Sequence, residues 1–411
     1  MKKLLVVGYV WPEPNSSAAG TRMMELISSF QSMDYSVTYA SPAAPSEHAI
    51  DYQEHDITPC SIELNDASFD AFILDLKPDA VLFDRFMMEE QFGWRVEKHC
   101  PNALRLLDTE DLHCLRQARQ TLAKNNSNVI KAVPNHALYS DIAKREIAAI
   151  YRCDLTLMIS PYEMQILQER FSVPESILFY LPFQIDTASI EKTSFENRQH
   201  FVSIGNFRHE PNWDAVLQLK NVIWPLIRKR LPKAELHVYG AYPPKKATQL
   251  HNEKQGFHVK GWCENAKTVL NEARVLLAPL RFGAGLKGKL FDAAQCALPS
   301  VTTSIGAEGL EEDVQSPPFL VSDDFEMFAQ LACDLYTDPD LWLHHQDQCE
   351  SFLQAFQKAP LQAAFARCIQ SLESDIDAHR LNNFTGSMLR HHSMRSTQYM
   401  AQWIEEKNKN K

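Results

Sequence analysis

Short, almost continuously apolar runs alternate with longer amphipathic stretches through the first half of the chain. Continuous rather than alternating apolar residues are typical of parallel strands buried on both faces. Helical spacing between the runs predicts helices near residues 21–32, 88–99, 135–151 and 161–170. The predicted strands are KLLVVGY, YSVTYAS, DAVLFD, ALRLLD and DLTLMIS. This order predicts a doubly wound α/β domain, with a parallel sheet covered by helices.

The same alternation restarts after a polar, proline-bearing segment at residues 178–200. A new first strand, HFVSIGNF, follows this segment, and a second doubly wound domain is predicted from it. Two such domains in tandem form a cleft at the carboxyl ends of their strands, where ligands bind in open α/β sheets. The further predicted elements are helix 212–230, strands AELHVYG and FHVKGW, helix 263–271, strand ARVLLAPL, a helix starting near Leu286, and strand PSVTTS.

The pattern divides the chain into two Rossmann-like domains and a tail. Residues 1–190 form the first domain and residues 198–370 the second. The sequence after Asp324 is purely helical to about residue 377. Residues 371–411 become polar and basic, and we expect a helical or mobile tail there.

Length, charge and cysteine usage narrow the classes of function. The 411 residues exceed the ~250 to 300 that one core supports, and the net charge of -11 argues against a nucleic-acid partner. Nine cysteines without a CxxC pair indicate reduced thiols in a cytoplasm rather than disulfides or structural zinc. There is no apolar run of ~18 residues, and Gly8 and Pro12 interrupt the apolar start of the chain. We therefore expect a cytoplasmic protein without a transmembrane segment, and peripheral association with the inner membrane face stays open.

The stretch RFGAGLKGKLFDAAQ places glycines, two lysines and a carboxylate at the start of a helix. Free amides at that helix start, together with Lys287 and Lys289, make an anion site suited to phosphates. Asp292 lies three residues beyond Lys289, on the same helical face, where a carboxylate accepts hydrogen bonds from vicinal hydroxyls. A nucleoside diphosphate carries phosphates and, next to them, a ribose with vicinal hydroxyls. Phosphate-binding groups followed by a carboxylate that accepts from a diol therefore predict a site for a nucleoside diphosphate. Taken alone, the stretch is equally compatible with a structural explanation, in which the glycines only turn the chain and the lysines are solvated.

The wider sequence around this stretch resembles a known enzyme family. GWCENAKTVLNEARVLLAPLRFGAGLKGKLFDAAQCALPSVTTSIGAEGL, with VSIGNFRHEPNWDAV and LHVYGAYP upstream, is similar to the donor-binding domain of retaining GT-B glycosyltransferases of the large family-four type, also called glycosyl transferases group 1. The first domain resembles the family more loosely, through a glycine-containing loop after the first strand and through RLLDTEDLHCLRQAR. The resemblance implies a GT-B fold, in which two Rossmann-like domains face each other across a cleft and helices follow at the C-terminus.

The resemblance also implies roles for donor-binding residues. Asp292 stands where the second glutamate of the family's paired-glutamate motif holds the donor ribose, and Ala284 stands where the first glutamate touches the transferred sugar. Lys287 and Lys289 lie in the part of the motif that meets the phosphates, and Arg208 falls close to the basic residue that faces the diphosphate. We therefore assign catalytic roles to these three cations. The implied donor-binding residues are Gly205, Trp262, Cys263, Gly283, Ala284, Gly285, Leu286 and Asp292.

Three cleft loops of the first domain match the region where the family binds its acceptor. The loop after the first strand ends at Gly20, which could equally serve close helix packing. Asp84 and Arg85 follow a later strand. Many relatives carry a histidine just after the strand ALRLLD; here acidic residues occupy that turn, and His113, which could instead be structural, comes slightly later. The expected acceptor-binding residues are Gly20, Asp84, Arg85, Glu110, Asp111 and His113.

By this resemblance the chain transfers a hexose-type sugar from a nucleoside diphosphate sugar, such as a UDP- or GDP-sugar, to an acceptor hydroxyl with retention of configuration. Cations stabilise the departing diphosphate, so we expect no metal and no cofactor. One rival is a nucleotide-sugar 2-epimerase, which Ala284 disfavours. Another is a catalytically inert GT-B-like sugar-binding or accessory subunit, which the missing glutamate and histidine leave open. The donor base, the sugar and the acceptor, whether sugar, lipid-linked or protein, are not encoded in these residues.

Overall fold

The computed structural model describes residues 1–124, 128–186, 190, 192–310 and 317–409. The first domain has seven strands: β1 (Lys2–Val7), β2 (Tyr35–Ser41), β3 (Ile57–Ser61), β4 (Ala80–Asp84), β5 (Leu104–Asp108), β6 (Leu155–Met158) and β7 (Leu178–Tyr180). They pair in the order β3-β2-β1-β4-β5-β6-β7, all parallel. Its helices are α1 (Ala18–Gln31), α2 (Ser68–Leu76), α3 (Phe86–His99), α4 (His113–Lys124), α5 (Asn135–Leu138), α6 (Asp141–Arg152) and α7 (Pro161–Phe171).

The central strands explain how the first domain presents its loops. Every residue of β4 and β5 is buried, as expected for strands covered by helices on both faces. Asp84 and Asp108 end these two strands and are aligned across the ladder. Two acidic residues therefore stand side by side at the carboxyl edge of the sheet, where the loops toward the second domain begin.

The second domain repeats this plan. Its strands are β8 (Gln199–Ile204), β9 (Leu236–Tyr239), β10 (Phe257–Gly261), β11 (Ala273–Ala278), β12 (Ser300–Thr302) and β13 (Phe319–Val321). They form a parallel sheet in the order β10-β9-β8-β11-β12-β13. The helices are α8 (Glu210–Gln218), α9 (Trp224–Arg230), α10 (Lys245–Thr248), α11 (Ala266–Glu272), α12 (Gly288–Gln295), α13 (Ser304–Ala307), α14 (Phe325–Thr337) and α15 (Pro339–Gln354). The two sheets confirm the predicted α/β fold class.

The predicted helix 212–230 is divided in the structure. A π-helical turn at Leu219–Ile223 separates α8 from α9. Pro225 follows this turn, and a proline inside an α-helix lacks an amide donor and clashes with the carbonyl four residues earlier. The wider π turn accommodates the proline without ending the helix.

The last three helices return the chain to the first domain. These helices are α16 (Lys358–Ser374), α17 (Ile376–Asn382) and α18 (Phe384–Lys409). Helix α16 buries Phe365 and Ile369 in the core beside β1, and α18 packs against α3 and α6. In α17, Arg380 forms an ion pair with buried Asp154, with Nη2 2.8 Å from Oδ2. Residue 370, where the sequence analysis ends the second domain, lies inside α16, and the chain continues as helix through Lys409. Contacts of α18 with the first domain extend to Ala401 and Glu405.

Within the described ranges, none of the helices is both long enough and apolar enough to cross a bilayer.

Candidate functional site

Loops from the two domains meet directly across the cleft. The amide of Gly285 in the second domain donates a hydrogen bond to Glu163 Oε1 in the first, at 2.8 Å. At another point, Trp262 Nε1 donates to the carbonyl oxygen of Asn15 at 3.2 Å. The two domains are therefore in contact through the loops that carry the predicted donor-binding residues.

The glycine-rich loop before α12 is seated on the first domain. Gly283 and Gly285 have φ angles of +153° and +65°, a region that favours glycine. Between and after them, Ala284 packs in an apolar cluster of the first domain, and Leu286 packs with Ile159 of that domain. The glycines allow the turn, and the two apolar side chains fix the loop against its partner domain.

Both predicted lysines lie inside the cleft region rather than in bulk solvent. Lys289 Nζ donates to Asn212 Oδ1 at 2.9 Å, and Lys287 Nζ donates to the carbonyl oxygen of Ala284 at 3.2 Å. Burial, with the neighbouring charge of Lys287, lowers the pKa of Lys289 to about 8. Helix α12 begins at Gly288 without a side-chain cap. Free amides and two ammonium groups therefore occupy one place, which is the composition of a phosphate site.

Two further side chains at this place, the imidazole of His209 and the guanidinium of Arg116, were missed by the sequence analysis. The surrounding protein atoms desolvate the His209 ring, and this lowers its pKa. The positive charge of Arg116 lowers the pKa further, and Lys289 and Lys287 make smaller contributions. Arg116 Nε lies 2.9 Å from Asp111 Oδ2. His209 directly follows the predicted Arg208 in GNFRHEPN, and Arg116 lies one turn after His113 in RLLDTEDLHCLRQAR. Both residues are therefore in the motifs that the sequence analysis used, but at positions to which it assigned no role.

Asp292 lies one turn into α12 on the face of Lys289. Asp292 is half-buried, and burial raises the pKa of its carboxyl group to about 6. The positive charges of Lys267 and Lys289 lower this pKa, but by less than burial raises it. Among the residues that the structure describes, no hydrogen bond to the Asp292 carboxylate is found. Its oxygens are therefore available to a ligand that donates hydroxyl hydrogens.

The first domain contributes a crowded acidic group at the ends of β4 and β5. Asp84 Oδ2 accepts a hydrogen bond from the Tyr9 amide at 2.9 Å. Burial raises the pKa of both Asp84 and Glu110, and the neighbouring Asp108 adds to the rise. Arg85 and Glu110 have φ angles of +69° and +61°, which are uncommon for residues other than glycine and cluster at functional sites. The backbone is therefore in an uncommon conformation at Arg85 and at Glu110, where the two loops leave the sheet.

Asp111 faces the second domain from the loop before α4, and His113, the first residue of α4, lies beside it. His113 Nε2 lies 3.5 Å from Asp111 Oδ1, and the imidazole ring packs edge-on against Phe86. Burial lowers the pKa of His113 to about 4, so the ring is neutral at neutral pH. A Cβ on Gly285 would lie 3.0 Å from the Cβ of Asp111, which places this loop directly opposite the glycine-rich loop.

The remaining predicted residues lie elsewhere along the cleft or serve packing. The Arg208 guanidinium stacks 3.5 Å above the Tyr242 ring instead of joining the two lysines. Trp262 stacks on His48 of the first domain, with ring centroids 4.5 Å apart, and burial raises the pKa of the next residue, Cys263.

Gly20 and Gly205 both permit close packing. A Cβ on Gly20 would lie 2.4 Å from the backbone of Glu13, and one on Gly205 would lie 2.7 Å from the side chain of Asn212. Gly20 therefore has the packing role that the sequence analysis considered beside acceptor binding. Gly205 leaves room for the asparagine that holds Lys289.

A buried ion pair also joins the domains. Arg119 of α4 is fully buried and donates to both carboxylate oxygens of Glu308, at 2.7 and 2.6 Å, and to the carbonyl oxygen of Gly283 at 2.9 Å. Glu308 is 8% exposed. A two-point ion pair of this kind is strong only while both partners stay together, since either charge alone would be buried without compensation.

Replacing Gly288 with alanine is expected to oppose domain closure. A Cβ at Gly288 would lie 2.6 Å from the Cβ of Ala18 at the start of α1, so one domain must move away from the other. Overpacking of this size costs about 1 to 3 kcal/mol. We expect roughly a 5- to 100-fold loss of turnover, measured as nucleotide release, with little change in the melting temperature.

The double variant Gly288→Ala/Ala18→Gly is the matched control, because it removes the methyl group that the new Cβ would strike. Recovery of turnover in the double variant is expected. If the double variant were as slow as Gly288→Ala, the defect would lie in the helix start itself and not in the contact between domains.

Comparison with known proteins agrees with this architecture. Residues 198–338 match the family described as glycosyl transferases group 1. No curated protein matches the chain at a significant level. Over the whole fold, the chain is similar to sucrose-phosphate synthase from Thermosynechococcus elongatus, with a TM-score of 0.68 and 13% identity, covering 91% of this chain and 100% of that chain.

Two further solved structures have the same architecture. HepE from Anabaena, in complex with UDP and glucose, has a TM-score of 0.68 and 11% identity, covering 90% of this chain and 100% of that chain. TarM from S. aureus, in a complex that contains UDP, has a TM-score of 0.68 and 9% identity, covering 90% of this chain and 99% of that chain. The second domain is thus similar to the glycosyl transferases group 1 family over residues 198–338, and the chain as a whole has the two-domain GT-B fold of these glycosyltransferases.

Proposed function

We propose that the protein is a glycosyltransferase that moves a hexose-type sugar from a nucleoside diphosphate sugar to an acceptor hydroxyl, with retention at the anomeric carbon. The observation that carries this proposal is the arrangement at α12. The helix start is uncapped, Lys287 and Lys289 lie beside it in the cleft, and the open carboxylate of Asp292 follows one turn later. This order matches a diphosphate followed by a ribose diol.

The chemistry follows from where charge develops. The anomeric C–O bond breaks, and its electron pair passes to the β-phosphate oxygen of the departing nucleoside diphosphate. Lys289 and the amides at the start of α12 stabilise that charge in a site from which the closed domains exclude water. The acceptor oxygen then bonds to the anomeric carbon from the same face, and its proton passes to the departing phosphate.

The first domain supplies the other side of the reaction. Asp111, held between His113 and Arg116, faces the glycine-rich loop. We assign this group to the transferred sugar and the acceptor hydroxyl. Because neutral His113 and ionised Asp111 offer an acceptor nitrogen and two acceptor oxygens, they suit a ligand rich in hydroxyl donors.

A uracil-containing donor is the first choice for testing, because the similar HepE and TarM structures contain UDP. The protein is incubated with UDP-, GDP-, ADP- and dTDP-sugars, with and without a cell extract as the source of acceptor, and nucleotide release is measured. Acceptor-dependent release of one nucleotide supports the proposal. Binding of a nucleotide sugar without turnover would indicate an inert sugar-binding subunit, and turnover that yields an epimerised sugar would indicate a 2-epimerase. The configuration of the product, read by NMR, decides between retention and inversion.

Affinity for UDP is expected to fall as the pH drops from 7 to 5. Ribose hydroxyls donate to the ionised carboxylate of Asp292, and this group takes up a proton as the pH falls through its pKa of about 6. Asp292→Asn should bind UDP about 10- to 100-fold more weakly at pH 7, since a hydrogen bond to a charged group contributes about 1.5 to 3 kcal/mol. Titration calorimetry measures both effects.

The asparagine variant also serves as the control for the titration of UDP itself, which is the same in both proteins. The pH dependence that is lost in Asp292→Asn belongs to the carboxylate. Equal affinities and equal pH profiles for the two proteins would contradict a ribose contact at Asp292.

A further inference from the structure

A second cluster of ligand-forming side chains lies at the other end of the second sheet. His200, His237 and His258 are each the second residue of a strand, in β8, β9 and β10. Strand β9 pairs with both neighbours, and His258 is aligned with His237. Glu235 directly precedes β9. The cluster is therefore at the amino ends of the strands, whereas the cleft lies at their carboxyl ends.

The spacing of the donor atoms fits a tetrahedral metal ion. Glu235 Oε2 lies 3.1 Å from His237 Nε2 and 3.7 Å from His258 Nε2, and one ligand atom from each residue lies within 4.8 Å of the others. Zinc binds nitrogen and oxygen at about 2.0 to 2.2 Å in a tetrahedron, so its neighbouring ligand atoms stand about 3.3 to 3.5 Å apart. The distances from Glu235 to the two histidines lie on either side of this range, and the ligand atoms of His237 and His258 lie within 4.8 Å of each other.

The hydrogen bonding around the cluster is incomplete, although most buried polar atoms have a partner. Among the described residues, the Nε2 atoms of His200 and His258 are buried without a hydrogen-bond partner. The His200 ring stacks on His237 with centroids 3.8 Å apart. The ammonium of Lys260 lies near His237 and His258 and opposes a bound cation. Neutral imidazole is the form that binds metal.

We propose that Glu235, His237 and His258 bind a zinc ion or a similar divalent transition metal, with water in the fourth position. Imidazole and carboxylate ligands suit such ions. The half-exposed Glu235 side chain provides the path from solvent. Because β10 is the edge strand of the sheet, a metal held between β9 and β10 would fasten that edge to the domain. It would not take part in sugar transfer, which the site places at the opposite end of the strands.

Zinc titration of the full chain tests this site. Wild-type protein, freed of metal with a chelator, is expected to bind one zinc ion that Glu235→Gln and His258→Asn bind more than about tenfold more weakly, since even residues that only support a metal ligand contribute about 10- to 100-fold. His136→Asn is the control, because His136 is an exposed histidine of the first domain. Zinc should raise the melting temperature of the wild type and of this control, but not that of the two ligand variants.

The nine free cysteines also have an affinity for zinc, so the comparison among variants decides the outcome. Glu235→Gln replaces a half-exposed side chain with one of the same size, and it keeps the test valid if His258→Asn fails to fold. In Co²⁺-loaded protein, histidine and carboxylate ligation gives visible bands without the intense near-ultraviolet charge-transfer absorption of thiolates. Equal zinc affinity in the wild type and Glu235→Gln, or a thiolate spectrum, would overturn the proposal.

Discussion

Replacing Lys289 with alanine is expected to slow sugar transfer by about 10²- to 10³-fold, the usual effect of losing one group that stabilises charge in a transition state. Lys289 lies in the first turn of α12, and its Nζ donates a hydrogen bond to Asn212 of α8. The positive charge is therefore already in place before the diphosphate departs. Nucleotide release at saturating donor measures the effect as kcat. Because the side chain makes no ion pair with another described residue, the variant should fold normally, which its melting temperature checks.

Lys233→Ala is the matched control, since Lys233 is an exposed lysine of the same domain, located before β9. It should transfer sugar at the wild-type rate. A Lys289→Ala variant with a kcat within about threefold of the wild type would show that the ammonium does not face the departing diphosphate.

Replacing Arg119 with methionine is expected to destabilise the closed arrangement of the domains by up to about 3 to 5 kcal/mol, the cost of leaving one partner of a buried pair uncompensated. The remaining Glu308, which is 8% exposed and keeps only the nearby charge of Lys287, gains contact with water if the cleft opens. The single variant should therefore be more open, with a larger radius of gyration in X-ray scattering and slower transfer. The transfer rate should fall, whereas the melting temperature should change little, because opening of the cleft exposes the unpaired Glu308 to water.

The double variant Arg119→Met/Glu308→Leu separates this explanation from a general loss of packing. Apolar residues of similar size often replace a buried ion pair at little cost. The double variant should return toward the wild-type radius of gyration. If Arg119→Met were as compact as the wild type, or if the double variant stayed open, the ion pair would not hold the domains together.

The fold was largely predictable because its central strands are buried on both faces. Continuous apolar runs located β1, β4, β5 and β11 and gave the order of two doubly wound domains. Strand β3 was missed because it lies at the sheet edge, contains Pro59 and is mostly exposed. Short strands such as β7 and β13, of three residues each, are too brief for a period to be recognised.

The candidate site was predictable where its residues are close together in the sequence. Lys289 and Asp292 lie three residues apart in α12, as helical geometry predicts, and Lys287 directly precedes that helix. The roles of these residues in binding a donor stay predictions. Contacts between distant residues were not predictable. Arg119 and Glu308 are 189 positions apart, and no local pattern pairs them.

The expected role of Arg208 illustrates the same limit. Its position in the motif was recognised, but the direction of a long side chain depends on its neighbours, and Tyr242 attracts the guanidinium away from the lysines. The next residue, His209, faces the cleft instead.

A crystal structure of the protein with bound UDP tests the central claim most directly. The account predicts the diphosphate within hydrogen-bonding distance of Lys289 Nζ and the first amides of α12, with the ribose hydroxyls donating to Asp292. A nucleotide bound away from α12, or density that places Lys289 and Asp292 on opposite sides of the ligand without contact, would contradict it.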